Sequence, residues 1–223
     1  MVVVATKCYV SGDARDRAMD AMRSLVDNAV GDLDVEYTVG VRHDEWVAVT
    51  VEGPDATVAR NVLREEWGEV PDRLAAGETY VGTLESWDED GFYLDAGVDE
   101  PVLVPTDELG LGPGSPSQIR ERFGLVQHLR LRFVHGDPPR LADETRDRLY
   151  EWTRGTGRLN VNSATRGEVR ATINRAGHAR DIVTVERLGL LEQSVVTAED
   201  TDPPGLLAAV GEHLPAELRC VVP

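Results

Sequence analysis

Six side chains have the types and spacing that nucleic-acid chemistry uses: Tyr93, His128, Arg130, Arg132, Arg166 and Arg170. In "LRLRF" the apolar Leu129, Leu131 and Phe133 alternate with Arg130 and Arg132. A strand puts alternate residues on opposite faces, so the apolar set predicts a core face and His128, Arg130 and Arg132 an outer one. Tyr93, between Phe92 and Leu94, is expected outward by the same rule. A tyrosine beside arginines on one face can stack a base and hold a phosphate. An ordinary solvated strand, with the tyrosine stacked on a neighbouring arginine, is the plainer reading of the same pattern. Arg166 and Arg170 lie four apart and share a helix face, while Val169 and Ile173 turn inward.

Catalytic chemistry finds less support. His135 with Asp137, and His178 with Asp181, have the spacing of a base and its orienting carboxylate, although polar turns place the same residues together. There is no Walker loop, G-x-G-x-x-G, C-x-x-C or H-E-x-x-H. Cys8 and Cys220 sit in apolar runs and read as buried thiols, so neither a metal nor another cofactor is expected.

Charge frames these candidates. The formal net charge is −17, and Lys7 is the sole lysine. Residues 117–192 nevertheless hold 14 basic residues against 10 acids, a local excess that points to an anionic partner or to ion pairs with neighbouring surfaces. Regular apolar patterning argues against disorder, and the acid excess resembles the solvated surface of a halophile. In concentrated salt the Debye length falls to about 3 Å or less, so an RNA binder there relies on stacking and short hydrogen bonds. "MVVVATKCYV" has no charged leader and reads as a strand, and no run is long enough to span a membrane. A cytoplasmic protein without membrane contact is expected.

The positioning elements fall into three segments: 1–72, 73–140 and 141–223. The first reads strand, helix over 13–30, two strands, then a helix through Val58, Val62, Leu63 and Trp67. That order suits a ferredoxin-like plait lacking or borrowing its last strand. The second has short alternating strands, a flexible "GLGPGSPS" loop at 110–117 and a strand over "VQHLRLRFV", which suggest a small β-barrel. The third opens with a helix carrying Leu149 and Trp152. It continues β-α-β-β-α-β, with a capping box from Thr165 to Glu168 and Gly177 beyond the helix end. The fold class is therefore α+β: plait, barrel, plait. The outer segments share element order, as a diverged duplication would.

The second segment resembles the S1 RNA-binding domain, an OB-fold barrel. Gly77, Gly82 and Leu84 fit the family's opening, Gly91-Phe92-Tyr93-Leu94 its middle, and Val104-Pro105-Thr106-Asp107-Glu108-Leu109 its end. "LVQHLRLRFV" fits its basic strand, while "WDEDG" departs from the pattern with three acids beside the expected RNA face. "NVNSATRGEVRATINRAGHARDI" and "VERLGLLEQSVV" resemble an archaeal domain-of-unknown-function family, and the acidic surface a haloarchaeal member of it. "DTDPPGLLAAVGEHL" is similar to the opening of an ACT domain, which binds amino acids.

The leading expectation is a non-catalytic RNA-binding protein of archaeal translation or RNA processing, with ribosomal or transfer RNA as partner. Tyr93, His128, Arg130, Arg132, Arg166 and Arg170 would make the contacts. The alternative is a regulatory or assembly module whose plaits bind a small ligand, a protein partner or a second copy of the chain.

Overall fold

The computed structural model describes all 223 residues. It has six α-helices and three antiparallel sheets. In the first segment β1 (Val2–Lys7), α1 (Gly12–Val30), β2 (Glu36–Val41), β3 (Trp46–Glu52) and α2 (Ala56–Trp67) follow in turn, and the strands pair in the order β1-β3-β2. Ala18, Met22 and Val26 of α1 recur at helical spacing and pack with Leu63 and Trp67 of α2 over the sheet. Burying each large apolar side chain of this set contributes about 1.5–3 kcal/mol. Val58, expected on the apolar face, is exposed instead, because Ala56, Ala59, Leu63 and Trp67 define the inward stripe. The free edge of β1 is capped rather than extended by a strand. Ala5 N–H donates to Gly68 O at 3.2 Å, and Val70 N–H donates to Val3 O at 2.8 Å.

The second segment contains β4 (Thr79–Trp87), β5 (Gly91–Asp95), β6 (Val102–Pro105), α3 (Pro116–Arg122), β7 (Arg130–Val134) and β8 (Arg140–Leu141). Its order is β6-β5-β4-β7-β8, a sheet curled into a half-barrel around Phe92, Leu94, Val104, Leu131 and Phe133. The curl needs close backbone approach at Gly91, where a Cβ would stand 2.1 Å from Val104 O. Two expectations change. The end of the "GLGPGSPS" stretch begins α3, because Ser115 and Gln118 form a capping box ahead of Ile119. The basic strand starts at Arg130 rather than Val126, because His128 takes a left-handed φ of 65° that breaks the strand alternation.

Helix α4 (Asp143–Trp152) follows. Sequence places it with the third segment, but Leu149 and Trp152 belong to the half-barrel core. The third sheet comprises β9 (Arg158–Val161), β10 (Ile182–Arg187), β11 (Gln193–Thr197) and β12 (Leu218–Val221), ordered β10-β11-β9-β12. Helices α5 (Arg166–Arg175) and α6 (Pro203–Gly211) cover one face through Val169, Ile173, Leu206 and Val210. The Thr165–Glu168 capping box forms as expected, and Gly177 sits beyond the helix with φ 86°.

The three cores interlock. Leu190 and Leu191, at the β10–β11 turn, join the first core, and Val221 joins the half-barrel core. Ala5 and Trp46 of the first sheet pack on Val81 of β4. Cys8 is buried and Cys220 half-buried, both as free thiols. No helix is long and apolar enough to cross a membrane.

Candidate nucleic-acid interface

The structure does not assemble the six sequence-selected residues into one surface. Tyr93 is half-exposed on β5, and its hydroxyl donates to Asp88 Oδ2 at 2.9 Å, within the acidic turn before the strand. Arg130 and Arg132 lie on β7, and β4 separates them from Tyr93. Arg132 is 51% exposed and faces Glu144 at 4.0 Å. His128 turns inward, stacks on the Tyr9 ring at 3.8 Å and places Nδ1 3.3 Å from Glu85 Oε1. Arg130, expected to face solvent, is covered by the first and third segments. Strand alternation tells which side a residue takes, not whether another domain covers that side.

Arg166 and Arg170 do share an exposed face of α5, as expected. Neither has a carboxylate within 4.0 Å, and neither makes a side-chain hydrogen bond. Arg180 is likewise exposed and unpaired. Arg158 is committed to Glu186, and Arg175 donates to Thr172 Oγ1 at 3.2 Å. His178 and Asp181 meet at 2.6 Å in the turn after α5, whereas His135 and Asp137 do not bond.

Sequence reasoning missed a ladder of guanidinium groups and tryptophans. Arg187 and Arg130 lie over the Trp67 ring at 4.7 and 5.5 Å, and Arg148 and Arg158 over the Trp152 ring at 5.7 and 5.5 Å. Arg148 Nη2 donates to Arg130 O at 3.2 Å, linking the two halves, and Arg130 Nη2 donates to Trp67 O. The ends are neutralised by Glu66 on Arg187 and Glu186 on Arg158. The middle pair, Arg130 and Arg148, has no carboxylate within 4.0 Å. Burial, followed by the neighbouring Arg132 and Arg158, lowers the Arg148 pKa. Burial likewise brings Arg130 down to about 10 against the pull of Glu192, so it stays charged at neutral pH. One signal was available: Arg148 and Trp152 are four apart on α4 and share a face.

Next to the ladder lies a polar knot. Tyr9 O–H donates to Glu192 Oε1 at 2.6 Å and accepts from Ser163 N–H at 3.0 Å. Lys7 pairs with Glu85 at 2.9 Å and Asp95 at 2.6 Å, and Thr83 O–H donates to Glu85 at 2.6 Å. Glu192 is 2% exposed and packed against Gly189, with burial pushing its carboxyl up to about 7. Glu85 goes the other way: burial raises it, but hydrogen bonds from His128, Thr83 and Lys7 outweigh that and hold it near 2.

Three family models account for almost the whole chain: the DUF2110 N-terminal domain over 1–73, the DUF2110 central domain over 74–153 and the DUF2110 C-terminal domain over 156–222. The chain belongs to the DUF2110 family. No curated protein matches it. The DUF2110 central domain ends just beyond α4, in keeping with the packing of Leu149 and Trp152 into the half-barrel. The ladder therefore draws on all three DUF2110 domains: Trp67 from the first, Arg130, Arg148 and Trp152 from the second, Arg158 and Arg187 from the third.

Proposed function

We propose that this DUF2110 protein is a non-catalytic RNA-binding protein of archaeal translation or RNA processing. In this reading its outer domains are ferredoxin-like plaits, the first without its last strand, and its half-barrel is an S1-like OB fold. Element order supports the fold reading. The first and third sheets place their strands in the same relative order, and α3 lies between the third and fourth strands of the half-barrel. The observation that carries the function is the pair Arg166 and Arg170, exposed and without carboxylates on one helix face, in a chain of net charge −17. In a protein so rich in acids, uncompensated arginines at four-residue spacing suit a phosphate backbone. Arg132 and Tyr93 extend the contact on the half-barrel, where Tyr93 must exchange Asp88 for a base.

Filter binding to single-stranded and structured RNA across a KCl series tests this. Replacing Arg166 and Arg170 together by Ala should flatten the slope of log K against log salt by about 1.4 for single strands and about 1.8 for duplex. No RNA affinity, together with a ligand-dependent rise in melting temperature, would replace the reading with a ligand-binding regulatory module.

A further inference from the structure

We infer that the middle of the guanidinium ladder, Arg130 and Arg148 with the Trp67 indole N–H, is a binding site for a phosphate group at the junction of the three domains. The argument starts from unmet donors. Trp67 Nε1, Arg130 Nε and Arg148 Nε are all buried, and none has a hydrogen-bond acceptor. Buried N–H groups are almost always paired, and Arg130 links these three orphans, lying over Trp67 and accepting at its carbonyl from Arg148. Charge adds to this. Arg130 and Arg148 are adjacent through the Arg148 to Arg130 O bond; Arg148 is among the cations that lower the Arg130 pKa, and Arg132 and Arg158 add to burial in lowering that of Arg148.

The nearby acids are already engaged or turned elsewhere. Glu66 serves Arg187, Glu186 serves Arg158, and Glu144 stands beside Arg132 at 4.0 Å. Glu192 accepts from Tyr9 and makes no ion pair with Arg130 within 4.0 Å. Glu192 pulls on Arg130 and Glu186 on Arg148, but both from beyond 4.0 Å, so two partly buried cations lack an ion-pairing carboxylate, and a bound anion at hydrogen-bond distance would offset that cost. The donors sit on three side chains, which favours an anion with several oxygens. The guanidinium fork matches two oxygens of a phosphate. Two members of the cluster reach the surface, Arg132 at 51% exposed and Arg187 at 29%.

This site is separate from the α5 surface. Val169 and Ile173 of α5 pack on the helix-covered face of the third sheet, whereas Arg158 leaves that sheet toward Trp152 of the half-barrel side. The phosphate can come from free inorganic phosphate or from an RNA backbone, and the experiment separates the two. The full chain is melted in inorganic phosphate, in chloride at matched ionic strength, and with an RNA oligonucleotide in chloride. The ladder tryptophans give a fluorescence signal in the same titrations. Saturable stabilisation by inorganic phosphate, about 5 °C or more at hundredfold excess over Kd and removed by Arg148→Met, identifies free phosphate. Stabilisation by RNA alone identifies an RNA phosphate, provided that Arg148→Met removes it and the Arg166→Ala, Arg170→Ala pair does not. Either result supports the site. The inference is overturned if neither probe stabilises the wild-type chain, or if Arg148→Met leaves both responses unchanged. The wild-type arms need no variant to fold. Loss of RNA affinity in the α5 pair with the phosphate response intact keeps the two readings distinct.

Discussion

Glu192 offers the most quantitative test of how the three domains are joined. Its carboxyl is fully enclosed, accepts from Tyr9 O–H at 2.6 Å and has no cation within 4.0 Å. Around it stand Tyr9 from the loop after β1, His128 from the turn before β7, and Arg130 on β7. Burial raises its pKa from 4.5 to about 7. The folded protein therefore holds a proton that the unfolded chain releases between those values, so stability falls as pH rises across this window. A shift of this size corresponds to roughly 3 kcal/mol, absent below pH 4.5 and complete above about pH 7. Glu192→Gln keeps an acceptor for Tyr9 and removes the titration. Urea unfolding of both proteins at a series of pH values between 4.5 and 8 should show the variant gaining on the wild type by about 3 kcal/mol across the range. Any fixed penalty for the added amide N–H displaces the difference without changing its slope. Parallel stability curves would refute the enclosed-carboxyl reasoning.

Glu85 has the opposite sign. Held near 2, it contributes stability that is present above pH 4.5 and lost as pH falls toward 2, so Glu85→Gln should flatten the acid limb of the same urea series. Thr165→Ala removes the side-chain half of the α5 capping box and should cost about 1 kcal/mol, read as an earlier urea midpoint at unchanged m-value. Gly91→Ala puts a methyl group 2.1 Å from Val104 O, against backbone rather than a movable side chain, and should unfold the half-barrel; a near-native melting temperature and near-UV spectrum would show that the curl tolerates it.

Local chemistry made much of the fold legible. Apolar spacing located α1 and α2, the capping box located α5, and the prolines opening "PPGLLAAVGEHL" located α6. The Leu129, Leu131 and Phe133 alternation gave the core face of β7 correctly. What escaped was long-range. His128 leaves the strand alternation through a left-handed backbone, and Arg130 is half-buried under residues more than sixty positions away, Trp67 among them. Helix α4 carries a polar sequence between two segments, and only packing shows that Trp152 closes the half-barrel core. The basic stretch around α5 was conspicuous in sequence, but which of its arginines lack partners depends on the fold: Arg158 is paired, Arg166 and Arg170 are not. The ladder needed all three domains before its two tryptophans could meet four arginines.

The central proposal is that RNA meets this protein on the exposed α5 face and on the half-barrel surface carrying Tyr93 and Arg132. Ultraviolet crosslinking of the intact chain to RNA in concentrated KCl, followed by identification of the crosslinked peptides, examines that surface directly. The account predicts crosslinks on peptides containing Arg166 and Arg170, with a second set near Tyr93 or Arg132. Crosslinks confined to the first domain, or none above background with any RNA tried, would contradict it.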